Sequence, residues 1–358
     1  MISKNLQYGQ EQHIYCEKLD SLSSFNDKIL FKKHTHKINH IDLQKNLLMT
    51  SGDDDLIIII DLQLIKYNLN YYDIVNGTKY SKFLEPITQR IIYYGYKSFK
   101  LYIYDYSKEQ VLYIVNLLRE DLSHLEYNMK SNIIITTQGN ENVVWKLNEI
   151  KLLPYYNIKN SYYAIINENK QHIISCASTQ NNNKSNKISS VISIYKYDDS
   201  RNFIVEKERD INKDFGYHIN LMNFFKNYEN YYLILMSEFD IEIINLDNNN
   251  DSRVFYSNLK TQEDLRFTYI EPAFTREIIV GYNNGDVELI NPFWEDNKMK
   301  KLISNKYKPE KIINKLIKQI SNNDINHQSS VIQIKISDYY PLYVSIADEM
   351  ILYQLKDN

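Results

Sequence analysis

Cysteine, glycine and proline are all scarce in this chain of 358 residues. The two cysteines, Cys16 and Cys176, match no metal-binding or redox spacing, and so few thiols exclude a disulfide scaffold. With 8 glycines and 6 prolines, the chain holds no Gly-rich phosphate loop, no nucleophile elbow and no zincin helix. No apolar run approaches the roughly 20 residues of a membrane span. The first twenty residues are polar and lack the apolar core of a secretory signal. A net charge of -3 argues against a surface built for nucleic acid. These absences together lead us to expect a soluble, intracellular protein without metal or cofactor.

What is present is an apolar fraction of 43%, enough for a real core, and an abundance of tyrosine at 32 residues. Tyr, Asn, Ile and Lys are so common that single Tyr or Asn residues carry little functional signal. The apolar runs are short and rich in Ile, Val and Tyr, which is strand composition. "LIIIID", "KLYIYDY", "NVVWKL", "VISIYKY", "IEIINL", "DVELINP" and "MILYQL" each follow a polar turn, and another apolar run precedes each turn. Each pair reads as a hairpin. Near the end of the second strand of each pair stand Ile60, Tyr104, Trp145, Tyr195, Ile244, Ile290 and Tyr353. Successive anchors are 44, 41, 50, 49, 46 and 63 residues apart. A period near 40–45 with four strands per unit is the pattern of WD-repeat propellers. The acidic triplet Asp53 to Asp55 abuts the run Leu56 to Ile60. Stacked blades bury an inner strand on both faces, so Ile57 to Ile60 should all be buried and the acids should form the turn feeding them.

The first unit resembles the WD-repeat family closely. His34 stands at the family's Gly-His position, and Ile38, Ile41 and Leu43 follow as buried positions of the first strand. Thr50 and Asp54 match the residues that bond this His, while Ile60 replaces the aromatic member. His327, followed by Val331, starts the last unit in the same way. "SFNDKILFKKHTHKINHIDL", "TSGDDDLIIIID" and "GTKYSKF" are similar to the WD-repeat subunit shared by the COMPASS histone H3 lysine-4 methyltransferase and the cleavage and polyadenylation factor with its phosphatase module. "YIEPAFTREIIVGYNNGDVELIN" and "YPLYVSIADEMILYQL" resemble its sixth and seventh units, and Ser81 stands where that family has Gly. The resemblance implies an all-β, seven-bladed propeller over residues 23–358, with residues 25–33 closing the last blade. Residues 1–22 would form an extension outside the ring, and residues 294–326 an insertion between blades six and seven. It also implies a non-catalytic scaffold in the nucleus, working with methyltransferase or cleavage/polyadenylation and phosphatase subunits. The alternatives are a cytoplasmic scaffold with unrelated partners and, third, a propeller enzyme. No membrane or direct nucleic-acid partner is expected.

Candidate binding residues follow from charge. The turns between second and third strands share one face of the disc. They carry Asp53 and Asp55; Glu141; Glu238 and Asp240; Asp286; and Asp348 and Glu349. Turn chemistry alone accounts for Asp at such places. A ring of like charge would also attract a basic segment of a partner. "PEKIINKLIKQI", near residues 309–320, reads as a helix starting at Pro309. Ile312, Ile313, Leu316, Ile317 and Ile320 would lie on one face, and Lys311, Lys315 and Lys318 add positive charge. Such a helix packs on the rim, docks a partner, or lies as a lid over the acids. His34, His36 and His40 lie on one face if the segment is a strand, which admits a zinc reading. The structural reading of His34 competes with it, and no Cys or fourth ligand stands nearby.

Overall fold

The computed structural model describes residues 13–17, 28–32, 34–45, 47–61, 70–73, 78–85, 89–117, 122–167, 170–180, 188–198, 204–211, 218–227, 230–247, 252–256, 265–272, 278–285, 287–290, 330–336, 342–346 and 350–354. The chain opens with β1 (His13–Glu17) and β2 (Lys28–Lys32). The first sheet follows as β3 (Ile38–Gln44), β4 (Leu47–Gly52), β5 (Leu56–Asp61) and β6 (Asn70–Asp73). The second holds β7 (Thr78–Glu85), β8 (Arg90–Gly95), β9 (Lys100–Asp105) and β10 (Gln110–Asn116). The third holds β11 (Leu122–Asn128), β12 (Ile133–Gln138), β13 (Glu141–Asn148) and β14 (Lys151–Lys159). The fourth consists of β15 (Tyr163–Asn167), β16 (His172–Gln180), β17 (Ile188–Asp198) and β18 (Ile204–Ile211). The fifth consists of β19 (Leu221–Asn227), β20 (Asn230–Met236), β21 (Asp240–Asn245) and β22 (Ser252–Tyr256). The sixth sheet comprises β23 (Phe267–Pro272), β24 (Ile278–Tyr282) and β25 (Val287–Ile290). In the last, β26 (Gln333–Ile336), β27 (Leu342–Ile346) and β28 (Met350–Gln354) are joined by β1 and β2.

Within each of the first five sheets, strands neighbour in chain order and pair antiparallel. The first strands β3, β7, β11, β15, β19 and β23 touch in succession, and β26 touches both β23 and β3. Sheets stacked this way around an axis are the blades of a β-propeller. Five of them are complete four-stranded antiparallel blades among the described residues. All seven anchor positions, from Ile60 to Tyr353, fall on the third strand of their sheets.

Burial explains the unbroken apolar runs. Ile57, Ile58, Ile59 and Ile60 are 0%, 1%, 4% and 1% exposed. Ile57 and Ile59 pack with Phe83, Ile91 and Tyr93 of the second blade. The same division recurs in β12, where Ile134 packs toward the second blade and Ile133 and Ile135 toward the fourth. In β20, Leu233 and Leu235 face one neighbour while Ile234 and Met236 face the other. A strand between two blades has no solvent face, so alternation disappears. Each fully buried Ile or Leu contributes about 1.5–3 kcal/mol, which makes these inner strands the main source of stability.

The N-terminal stretch departs from the sequence reading. Lys28–Lys32 does join the last sheet, but its partner is β1, antiparallel, with Tyr15 opposite Leu30. Strand β1 in turn pairs parallel with β28, through Ile14 opposite Met350 and Tyr15 opposite Ile351. Part of the stretch expected outside the ring, residues 1–22, thus lies between β28 and residues 25–33. The polar average of the first twenty residues hid a short β-forming run, "HIYCE". The expected helix near residues 309–320, with the insertion 294–326 that carries it, lies outside the described residues.

Candidate partner-binding face and central channel

The turn between β4 and β5 is fastened to the segment that leads into β3. His34 Nδ1 lies 2.8 Å and 3.0 Å from the two carboxylate oxygens of Asp54. His34 Nε2 is 2.8 Å from the Thr50 hydroxyl. Asp54 also accepts the Thr35 and Leu56 backbone N–H groups at 2.8 Å and 3.3 Å. Burial works against the Asp54 charge, but the bonds from His34, Thr35 and Leu56 outweigh it and hold the carboxyl below its ordinary range. Gly52 is required here, because a side-chain carbon would sit 2.7 Å from His34 Nδ1 and 2.8 Å from Asp54.

The acids of this face are mostly engaged already. Asp53 is exposed and accepts from Asn39 at 2.5 Å. Asp55 pairs with Lys97, from the corresponding turn of the second blade, at 2.5 Å. The Asp55 carboxylate raises the Lys97 ammonium above its usual value. Glu141 accepts from Asn157 at 3.3 Å. Glu238 is exposed and meets Arg266 at 3.4 Å, and that guanidinium also lies 5.8 Å from the Phe239 ring centre. Asp240 is different: it is only 9% exposed, within β21, and presents no open carboxylate to a partner. Its place at the strand start rather than the turn tip accounts for the burial. Among the described acids, Asp55 and Glu238 are therefore paired with bases and Asp53 and Glu141 with amides, instead of forming a bare negative ring. Asp286, Asp348 and Glu349 lie outside the described residues, as do His327, Lys311, Lys315, Lys318, Ile312 and Leu316.

The three histidines considered together for zinc part company. His34 is buried against Asp54, and His36 is exposed beside the Thr35 hydroxyl at 3.0 Å. His40 is buried in the central channel. His34 and His36 precede β3, so the shared strand face does not exist.

The channel is a site that charge counting along the turns did not find. Residues two apart on the first strands gather into two tiers, except that Ile165 of β15 and Leu221 of β19 pack into apolar clusters between blades. His40, Tyr80, His124, Tyr163, Tyr269 and Gln333 form one tier; Asp42, Lys82, Glu126, Asn223, Glu271 and Lys335 form the next. Lys82 lies between Asp42, at 3.7 Å, and Glu126, at 3.9 Å. Lys335 meets Glu271 at 3.0 Å, and Asn223 donates to Glu271 at 3.3 Å. The His40 and Tyr80 rings are 5.7 Å apart, and the His124 and Tyr163 rings 4.4 Å. Burial, aided by Lys82 and Lys335, pushes His40 well below its ordinary value. His124 falls to about 4, again chiefly from burial, with Glu126 opposing. Burial raises Glu271 against the pull of Lys335. Lys335 stays protonated: burial lowers it, but Glu271, with Tyr269, Glu126 and Asp42, holds it high. The signal was in the sequence as a repeated step of two at the same point of successive units: "HID", "YSK", "HLE", "YIE" and "QIK".

This geometry defines a β-propeller with a polar turn face and a charged, side-chain-filled channel. By sequence comparison, neither a protein-family model nor a curated protein matches the chain.

Proposed function

We propose that this protein is a non-catalytic interaction platform, built as a seven-bladed WD-repeat propeller whose turn face binds linear segments of partner subunits. The observation that supports this most is the bonding that ties the turns of that face together. Its first turn is locked by the His34–Asp54–Thr50 bonds, and neighbouring turns are cross-linked by Asp55–Lys97. A pre-formed surface binds an extended segment without spending binding energy on its own ordering. The resemblance of the first, sixth and seventh units supports a place for the platform in a nuclear complex. That complex is the histone H3 lysine-4 methyltransferase, the cleavage and polyadenylation factor, or both. Asp53, Asp55, Glu141 and Glu238 are the described contacts for a basic partner segment, whose cations would exchange with Lys97 and Arg266.

Affinity purification of the full chain followed by mass spectrometry tests the assignment. Recovery of a SET-domain methyltransferase or an endonuclease subunit is expected. Exclusive recovery of cytoplasmic proteins would overturn the nuclear assignment and leave the platform reading standing.

A further inference from the structure

One side chain of the last sheet bonds the backbone of the first across 292 residues of sequence. Gln333 Oε1 accepts the Ile41 backbone N–H at 2.8 Å, and Gln333 Nε2 donates to the Ile41 carbonyl at 3.0 Å. Gln333 is 5% exposed, so water offers little substitute for these bonds. The pairing also fixes the orientation of the amide. Its oxygen must face the Ile41 N–H, which leaves Nε2 against Nε2 of His40 at 3.4 Å. A donor there requires a lone pair on the imidazole, and hence a neutral His40 protonated on Nδ1. An imidazolium would set N–H against N–H. The amide cannot turn to relieve this without turning its NH2 onto the Ile41 N–H.

We propose that Gln333 and His40 form an acid-sensitive latch that closes the ring between the first and last sheets. The proposal builds on the closed-ring reading above. The surroundings favour the neutral state. Lys82 and the Tyr80 ring face His40 from β7, His124 from β11 and Lys335 from β26, while Asp42 follows two residues on along its own strand. When the seam opens, His40 reaches water and regains an ordinary value near 6.5. Below about pH 6.5 the open form takes up a proton that the latched form refuses. Each further pH unit multiplies the open population about tenfold, until the depressed latched value is reached. Acid therefore parts the ring at this seam.

Hydrogen exchange by mass spectrometry on the full chain, from pH 7.5 to 5, tests the latch. Peptides over β3 report the seam, and peptides over β20, whose sheet carries no histidine on β19, β20 or β21, serve as control. Base-catalysed intrinsic exchange slows with hydroxide as pH falls, so β20 should slow. In β3 the growing open population offsets that slowing, and the wild-type rate should stay nearly flat below pH 6.5. His40→Asn keeps an acceptor that cannot titrate; its β3 should slow with pH as β20 does. Gln333→Leu should speed β3 exchange on the order of tenfold at pH 7.5. A wild-type β3 that slows in step with β20, or a flat profile retained in His40→Asn, would overturn the latch. Unchanged β3 protection in Gln333→Leu would do the same. If Gln333→Leu does not fold, the His40→Asn comparison decides alone. A wild-type β3 exchanging as a free edge at pH 7.5 would remove the closed ring itself, and the latch with it.

Discussion

The first and third blades solve one problem with different atoms. Each must tie the turn between its second and third strands to a lead-in segment of a first strand. In the first blade the tie runs backward through hydrogen bonds: Asp54 holds His34, and His34 holds Thr50. The third strand adds nothing polar, because Ile60 occupies the anchor. In the third blade the anchor is Trp145, whose indole N–H donates to Thr136 at 2.8 Å. Thr136 stands on its strand as Thr50 does on its own, two residues beyond the partner of the anchor. No histidine is needed there. Asn142 accepts from Thr137 and donates forward to the Ser161 hydroxyl, both at 2.5 Å, reaching the lead-in of the fourth blade. Divided between the two blades are the halves of one network, His–Asp in the first and Trp–Thr in the third. Neither half is indispensable to the blade; a satisfied set of buried polar groups is.

The comparison is broken most forcefully at Asp54. The side chain is 4% exposed, and its partner His34 is fully covered. Asp54→Ala leaves a buried imidazole without its acceptor and should cost about 3 kcal/mol in urea denaturation. Asp53→Ala, at the exposed neighbour, should fall within about 0.5 kcal/mol. Equal losses would sink the view that only the middle acid of the triplet is structural.

A smaller loss is expected in the third blade. Trp145→Phe keeps most of the buried ring and removes only the donor to Thr136, so about 1 kcal/mol should disappear. Thr136→Val in the same background should then add less than it does alone, since the hydroxyl has already lost the Trp145 donor and keeps only the Gln138 amide at 3.2 Å. A fully additive double variant would show that the bond carries no coupling. The converse graft, Ile60→Trp, should destabilise the first blade by about 1–3 kcal/mol. Ile60 is 1% exposed, and the Thr50 hydroxyl is already engaged with His34.

Acid should separate the two blades. Asp54 is held below the ordinary carboxyl value, so its contribution is present above that value and lost as pH falls through the depressed one. The Trp145–Thr136 bond does not titrate. The difference in urea midpoint between wild type and Asp54→Asn should therefore shrink toward pH 3, while that for Trp145→Phe stays constant. The channel adds a background common to both. His40 and His124 are neutral in the fold with lowered values, so stability falls as pH drops below about 6.5. For His124 the fall ends near about 4. His124→Gln should flatten its share of that slope in a pH series of thermal melts.

The smallest effect belongs to the surface pair of the turn face. Lys97→Ala removes an exposed partner of Asp55, and its melting temperature should match wild type within error at physiological salt. Its use lies in binding. A basic peptide should bind the Lys97→Ala protein more tightly, with the gain vanishing at high salt. An unchanged affinity at low salt would separate Asp55 from the partner surface.

Much of the blade was readable from the residues. The runs Leu56–Ile60 and Ile133–Ile135 lack alternation, and only a strand covered on both faces tolerates that. The spacing of Ile60, Tyr104 and Trp145 marks the third strands. His34, Thr50 and Asp54 sit at distances that a hairpin and its lead-in bring together. Such features depend on contacts within one unit, where chain geometry leaves few options. Tertiary structure alone decided which units meet. It buried Asp240, set Lys97 against Asp55 and Arg266 against Glu238, and brought side chains from all seven first strands together. It also placed β1 beside β28, and Gln333 on the backbone of Ile41. Those pairings depend on how the sheets close around the axis, and local periodicity records that a residue is covered without recording what covers it.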